Sequence, residues 1–184
     1  MDHERKLLQQ AHSFDLDALA AIFDEYYEPL YRYIYYHIPH IQTAEDLTAK
    51  VFQRLLENLH AGRGPEQRLK AWLFRVAYNL IVDDSRRQQH RNHALLIEDM
   101  PAPITNIDAD IVKARTVERA YSALTQLTTK QRDIIILRYL MEMTPTEIAE
   151  IRGITVGAVK ALQHRGLNTL RQELKSEQET VDNE

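Results

Sequence analysis

Cationic and amide side chains cluster near the end of the sequence, in the stretch VGAVKALQHRGLN. Ammonium and guanidinium groups can bind guanine acceptors or phosphates, glutamine can pair with adenine, and an alanine can touch a thymine methyl group. Residues 151–172 contain no Asp or Glu. The residues expected to face outward from a helix here are Gly157, Lys160, Ala161, Gln163, His164, Arg165 and Asn168. This pattern is typical of a helix that binds the major groove of DNA.

Helix start and stop signals surround that stretch. The start signals are the capping-box pairs Thr128–Gln131 and Thr144–Glu147, with Pro145 at a first helical position and Thr155 before the last helix. Gly153 is suited to a left-handed C-cap. A short helix, a glycine turn and a longer basic helix predict a helix-turn-helix at 144–174. The alternative is a helical hairpin in an ordinary bundle.

A second basic region, residues 68–93, interleaves aromatic and cationic side chains. Its aromatic members are Trp72, Phe74 and Tyr78, and its polar members are Arg75, Asn79, Arg86, Arg87 and Arg91. Aromatic faces beside a basic track suit unstacked single-stranded bases as well as phosphates. Core packing is the alternative for Trp72 and Phe74, and a solvated helix end is the alternative for the arginines.

A third pattern lies in residues 43–59, TAEDLTAKVFQRLLENL. Apolar residues recur at helical spacing, and Glu45 and Asp46 lie in the first turn, where the helix dipole favours acids. The pattern predicts an amphipathic helix of about 43–60 with Thr43 as its N-cap. Such a helix is either a core helix or a docking face for a partner protein.

Composition limits the fold and the function class. The chain has 184 residues, 44% of them hydrophobic, with only five Gly and six Pro, which favours long helices over an all-β fold. It has no Cys, and we expect no metal site, no cofactor and no enzymatic activity. No apolar run approaches the ~18–20 residues that span a bilayer, and the N-terminus is not a signal peptide, so we expect a cytoplasmic protein without membrane insertion.

Charge and turn residues predict the domain organisation. Residues 63–93 carry seven basic and three acidic side chains, residues 152–175 carry five and one, and residues 94–112 between them carry four acids and no Lys or Arg. We therefore expect an all-α protein of two small helical domains joined by a flexible linker, the C-terminal domain being a helix-turn-helix. The expected bounds are 14–93 for the first domain, 94–112 for an acidic linker, 113–175 for the second domain and 176–184 for an acidic tail.

Within the first domain, the apolar spacing predicts a helix beginning near Leu16. Pro29 is expected to open a separate second helix, because proline suits a first turn. Residues 60–65 are predicted to form a loop, and a further helix is expected from about Gln67. Residues 1–13 are expected to be a frayed or helical lead-in.

Three segments resemble, in order, those of bacterial RNA polymerase sigma factors of the sigma-70 family, in the extracytoplasmic-function (ECF) group. AEDLTAKVFQRLLENL at 44–59 resembles the helix that binds the polymerase clamp. RLKAWLFRVAYNLIVDDSRR at 68–87 resembles the segment that recognises and melts the −10 element. ALTQLTTKQRDIIILRYLMEMTPTEIAEIRGITVGAVKALQHRGLNTLRQEL at 123–174 resembles the domain that recognises the −35 element.

The resemblance implies partners and site residues. Core RNA polymerase, through its β′ clamp and β flap, promoter DNA and an anti-sigma factor would be the partners. The clamp would be bound by Asp46, Gln53, Leu56 and Glu57. The −10 element would be bound by Asn79, which helps to read a flipped base, by Arg75, Arg86 and Arg87 at phosphates, and by Trp72 at the strand-separating surface. The −35 element would be bound by Lys160, Ala161, His164 and Gly157, with Arg138 and Arg165 at phosphates.

The sequence departs from the family pattern at three places. Ala49 and Lys50 stand where Gln-Glu is common, Leu162 where Arg is common, and Gln163 where Leu is common. Two other functions are compatible with the residues. A stand-alone helix-turn-helix repressor or activator would bind duplex DNA without polymerase, usually as a homodimer. An interaction protein would bind polymerase without opening promoters.

Overall fold

The computed structural model describes residues 2–94 and 122–181, and the side chains of 4–87 and 122–173. The chain divides into two compact units, one before and one after the undescribed segment. Every regular element within the described ranges is helical. The prediction of an all-α protein with two helical units is therefore confirmed. Most of the expected linker, 95–112, lies outside the described residues, as do the side chains of Arg91 and of the expected acidic tail.

The first unit contains helices α1 (Asp2–His12), α2 (Leu16–His37), α3 (Ile41–His60) and α4 (Leu69–Ala94). Helices α2, α3 and α4 pack against one another, and α1 packs against α2 and α3. Leu8 and Ala11 of α1 are fully buried, so the N-terminal segment is part of the core. At the centre, the rings of Tyr33 and Phe74 meet edge to face with their centroids 5.2 Å apart.

Helix α2 continues through Pro29, and the prediction of two separate helices is wrong. Proline inside a helix removes one backbone hydrogen bond, at a cost of ~3 kcal/mol. The buried face nevertheless runs on from Ala18 and Ile22 to Leu30 and Ile34. Because both halves bury the same face, tertiary packing outweighs the local cost of the proline.

Helix α3 begins two residues before the predicted N-cap. His40 is the N-cap, and its Nδ1 accepts a hydrogen bond from the Thr43 backbone N at 3.2 Å. The prediction that Thr43 caps this helix is therefore wrong, because a histidine ring supplies the acceptor instead. Helix α4 begins at Leu69 because Arg68 has a φ of 59°, which is outside the helical region. The Glu4 carboxylate accepts a hydrogen bond from the Leu69 backbone N, so α1 caps α4.

The second unit contains a helical segment at 122–125, then α5 (Thr129–Ile135), a π-helical turn (Ile136–Leu140), α6 (Pro145–Arg152) and α7 (Val156–Val181). Both predicted capping boxes are present, at Thr128 and Thr144. Gly153 ends α6 in the left-handed conformation, with a φ of 64°. These local signals are confirmed residue by residue.

A π-helical turn follows α5 and was not predicted. The Met141 backbone N donates to the Ile136 carbonyl at 3.0 Å, which is the five-residue spacing of a π-helix. The four consecutive side chains from Ile134 to Leu137 are all buried. Helix α7 crosses this region closely at Gly166, where an added Cβ would lie 3.1 Å from Ile135 Cγ1. The segment is therefore the packing centre of the second unit.

No helix in the described part of the chain combines the length and the hydropathy that a membrane span requires.

Candidate nucleic-acid interface

Helices α6 and α7 form the predicted helix-turn-helix. Ile148, Ala149 and Val159 are buried where the two helices meet. The Thr155 hydroxyl oxygen accepts a hydrogen bond from the Ala158 backbone N at 3.1 Å and caps α7. Packing on one side and capping on the other hold the angle between the helices and leave the opposite side of α7 open to solvent.

The exposed side of α7 carries most of the residues predicted to bind the −35 element. Gly157, Lys160, Ala161, His164 and Arg165 are all exposed. A Cβ added at Gly157 would meet only the Thr155 hydroxyl, at 3.8 Å, so the backbone there is open to a close approach. The structure therefore brings these five residues together on one exposed surface, which we call the α7 face.

Gln163 does not belong to the α7 face, although helical spacing predicts that it faces outward. Its Nε2 donates to the hydroxyl oxygen of Tyr139, on the π turn, at 2.9 Å. At this register the residue lies beside buried Val159 and Gly166. Gln163 therefore joins α7 to the π turn.

Arg138 is set apart from the exposed cations. It is half-buried on the π turn, and its Nη1 donates to the Met143 carbonyl at 3.3 Å. Its guanidinium carbon lies 5.7 Å from the centroid of the Tyr139 ring, within cation–π range. The guanidinium thus holds the loop that precedes α6, and only part of it is left for a phosphate.

An ion pair also joins the first helix of the helix-turn-helix to α5. Arg152, at the end of α6, forms an ion pair with Asp133 of α5, with Nε and Oδ2 2.8 Å apart. Arg132 donates from Nε to the Leu124 carbonyl at 2.8 Å, and burial lowers the pKa of its guanidinium. The ion pair joins α6 to α5, and the Arg132 contact joins α5 to the helical segment before it.

The second candidate surface lies on α4, where four of the five residues predicted to bind the −10 element share one helical face. Arg75, Asn79, Arg86 and Arg87 are exposed and Trp72 is half-buried. Helical spacing aligns Trp72, Arg75, Asn79 and Arg86 over ~21 Å of axis. Phe74, in contrast, is 1% exposed, so the core-packing alternative holds for Phe74.

Arg87 faces the side of α4 that meets α3. It lines a groove of about 270 Å³ between the two helices, together with Asp83 and Asp84. Gln53 and Glu57, both predicted to bind the polymerase clamp, line the same groove from α3. Arg87 therefore lies between the α4 surface and the α3 surface.

The third candidate surface is the exposed side of α3 that borders the α3–α4 groove. Asp46, Gln53, Leu56 and Glu57 are all exposed, and Gln53 Nε2 donates to Glu57 Oε1 at 2.8 Å. Residues 46, 53 and 57 recur at helical spacing and share one face. Leu56 is 43% exposed and adds an apolar side chain to this surface. Ala49 and Lys50, which differ from the common family pattern, are exposed on this side as well.

An aromatic row on α2 adjoins that surface and was not identified from the sequence. Phe23, Tyr27, Tyr31 and Tyr35 follow one another every four residues, with neighbouring ring centroids 5.0 to 6.4 Å apart. Phe23 also contacts Phe52 of α3, with centroids 4.8 Å apart. The row is only partly buried, and Phe23 is 45% exposed. The spacing of four residues between these aromatic side chains was the sequence signal that could have predicted the row.

Comparisons with known proteins match both units. The family model "Sigma-70 region 2" matches residues 22–91, and "Sigma-70, region 4" matches residues 123–172. The first match contains the α3 and α4 surfaces, and the second contains the α7 face.

Curated relatives match across both units. The ECF RNA polymerase sigma factor SigX of Bacillus subtilis is 30% identical over 170 residues, which cover 89% of this chain and 87% of SigX. The ECF RNA polymerase sigma factor BldN of Streptomyces coelicolor is 29% identical over 167 residues, or 90% of this chain. The match spans 63% of the length of BldN.

A solved structure shows the same fold. It is the sigma factor RpoE in complex with the anti-sigma factor NepR from Bartonella quintana. It is 21% identical and covers 85% of this chain and 96% of that chain, with a TM-score of 0.65.

Proposed function

The chain belongs to the sigma-70 family of RNA polymerase sigma factors, in the ECF group, and from this membership we propose that it directs core RNA polymerase to promoters and opens them. The observation that carries the proposal is that two separate units each present a row of exposed polar and cationic side chains on one helix. A stand-alone regulator would need only the helix-turn-helix. The protein would act in the cytoplasm as a binding and positioning factor, without catalysing a reaction.

Polymerase would dock on this exposed side of α3. Asp46, Gln53 and Glu57 offer carboxylate and amide groups on one face, and exposed Leu56 adds an apolar contact beside them. Carboxylates at a partner surface select for cationic groups opposite, so the β′ clamp is expected to present Lys or Arg there. The aromatic row of α2 would extend this contact, because it meets α3 at Phe52.

The −10 element would bind along α4. Asn79 would read a base flipped out of the opening duplex, at a cost of a few kcal/mol offset by stacking and pocket contacts. Arg75 and Arg86 share its exposed face and would neutralise phosphates on either side. Trp72 would support the strand-separating surface. Arg87 would bind a phosphate at the edge of the α3–α4 groove.

The −35 element would bind the α7 face. Lys160, Ala161 and His164 would meet base edges in the major groove, and Arg165 would hold a phosphate. The open backbone at Gly157 would allow the DNA to approach the start of α7. Arg138 would act mainly through its hydrogen bond to the Met143 carbonyl, by holding the loop before α6, with a phosphate as its outer contact.

An anti-sigma factor is the further partner expected. RpoE, whose fold this chain shares, was solved in complex with the anti-sigma factor NepR. An anti-sigma factor that covered the α3 surface would keep this chain from core polymerase.

Run-off transcription with purified core polymerase tests the proposal, on fragments that include the region upstream of the coding sequence. We expect initiation at a defined start that requires both core and this protein. Asn79→Ala and Lys160→Ala should each reduce it, because both side chains are exposed and neither change disturbs the core.

A matched pair of variants tests docking separately. Leu56→Asp places a charge on the α3 surface and should abolish core binding. Leu16→Asp changes an even more exposed leucine of the same unit, 80% against 43%, and should leave binding intact. Saturable, salt-sensitive duplex binding without core, and no initiation on any fragment, would instead identify a stand-alone regulator.

A further inference from the structure

A short chain of hydrogen bonds runs along the exposed side of α7. Arg171 Nη1 donates to Asn168 Oδ1 at 3.1 Å. The amide nitrogen of the same Asn168 lies 3.3 Å from His164 Nδ1. His164 and Arg171 are exposed and Asn168 is half-buried between them. This run of hydrogen bonds ends at His164, a member of the α7 face.

The direction of these bonds follows from the donor inventory. A guanidinium has no acceptor, so Arg171 can only donate, and the group that Asn168 turns toward it must be its amide oxygen. The amide NH2 of Asn168 therefore faces His164, and it can only donate. Nδ1 of His164 must then accept, which leaves the ring proton on Nε2.

We propose that Asn168 and Arg171 are positioning residues that make His164 a hydrogen-bond donor toward DNA. This inference rests on the proposed function. With its proton on Nε2, the ring offers an N–H to the major groove, where guanine presents two acceptors, N7 and O6. The cytosine edge presents an amino donor instead and leaves the N–H unpaired. Adenine N7 and thymine O4 accept as well, so His164 selects against cytosine at one position of the −35 element.

The same bonds assign Asn168 a role different from its usual one. A free asparagine can pair with adenine by using its oxygen and its nitrogen together. Here the oxygen is bonded to Arg171 and the nitrogen to His164, so the amide has both ends engaged on the helix. Asn168 acts through His164 and does not read a base itself.

The wild-type protein gives the first test. Long-range 1H–15N correlation spectra of the histidine rings distinguish protonated from unprotonated ring nitrogens. At about pH 8, where an ordinary histidine is neutral, we expect His164 to show a protonated Nε2 and an unprotonated Nδ1. The opposite pattern would overturn the proposal, whatever the transcription experiments show.

Asn168→Asp gives the second test, because a carboxylate accepts where the amide donated. We expect the ring proton to move to Nδ1, which converts Nε2 to an acceptor. In transcription from a library randomised at the −35 element, the discrimination against cytosine at one position should fall by roughly fivefold or more, because the cytosine amino group can donate to an acceptor Nε2. Gln172→Asp is the control, since it adds the same charge on α7 at a residue outside the hydrogen-bond chain.

The control is expected to weaken transcription evenly across the library and to leave both the His164 spectrum and the base preference unchanged. If Asn168→Asp weakens all sequences evenly as well, His164 contacts a phosphate, and the proposed base selection is overturned while the proposed function stands. If wild-type protein initiates on no library member, the proposed function fails, whereas the spectra still decide the direction of the hydrogen bonds.

Discussion

Asp133 and Arg152 form an ion pair that joins the centre of the second unit to the helix-turn-helix. Asp133 Oδ2 and Arg152 Nε lie 2.8 Å apart, and the side chains are 1% and 12% exposed. Asp133 belongs to α5 and Arg152 to the last turn of α6, where a cation also interacts favourably with the helix dipole. The buried Asp133 carboxylate therefore holds α6 in place through Arg152, and α6 in turn positions α7.

Removing one partner of this pair should lower the free energy of unfolding of the second unit. Asp133→Ala removes the carboxylate from beside the Arg152 guanidinium in a nearly closed site, and we expect a loss of ~3–5 kcal/mol in the free energy of unfolding. Hydrogen exchange of the α5 and α6 amides measures it. Trp72 is the single tryptophan, and its fluorescence reports unfolding of the first unit. The urea midpoint of the first unit should be unchanged.

A double variant separates the charge effect from packing. Asp133→Leu with Arg152→Met replaces both charges by apolar groups, and buried ion pairs replaced in this way often lose little stability. We expect the double variant to recover most of the exchange protection that Asp133→Ala loses. A double variant as unstable as the single one would show that packing, and not the loss of the Asp133 carboxylate beside Arg152, is responsible.

The hydrogen bond between Gln163 and Tyr139 leads to a different expectation. Gln163→Leu restores the residue type common in the family and loses one exposed hydrogen bond, so the free energy of unfolding should change by less than ~1.5 kcal/mol. Because Gln163 faces the π turn, the −35 base preference in the randomised library should stay the same. Tyr139→Phe removes the same hydrogen bond from the other side. It should have the same effect as Gln163→Leu on the free energy of unfolding and on the base preference. A changed preference for Gln163→Leu alone would place that side chain at the DNA.

The parts of the fold that could be predicted from the sequence are those determined locally. The capping boxes at Thr128 and Thr144 and the C-cap at Gly153 each depend on residues within one turn, so composition and spacing were sufficient. Local signals of this kind are the reliable ones in a helical chain.

Features that depend on distant contacts could not be predicted. Helix α2 continues through Pro29 because both of its halves bury the same face, and α4 is capped by Glu4, 65 residues away. The bond from Gln163 to Tyr139 joins residues 24 apart, and it removes Gln163 from the α7 face. Periodicity places a residue on a side of its helix, but the neighbouring helix decides whether that side is open.

The histidine N-cap of α3 predicts a simple way to stabilise the first unit. His40→Asp replaces the ring acceptor by a carboxylate at the positive end of the helix dipole and should raise the free energy of unfolding by up to ~1 kcal/mol. His40→Ala should lower it by ~0.5–2 kcal/mol. Urea unfolding followed by Trp72 fluorescence measures both. Gln42→Ala, at an exposed position without a capping role, should stay within ~0.5 kcal/mol of wild type.

Tyr26 should make the first unit sensitive to alkaline pH. Burial raises the pKa of its hydroxyl above the usual range, and the hydrogen bond and negative charge of Glu25 raise it further. A raised folded-state pKa means that the full stability is present below the unfolded value of about 10 and is lost as pH rises beyond it. Between about pH 10 and 12, the free energy of unfolding should therefore fall less steeply in Tyr26→Phe than in wild type, by up to ~1.4 kcal/mol per pH unit. Urea titrations followed by Trp72 fluorescence at several alkaline pH values give both slopes. Tyr27→Phe is the control for the loss of a neighbouring hydroxyl, and equal slopes for wild type and Tyr26→Phe would contradict the assignment.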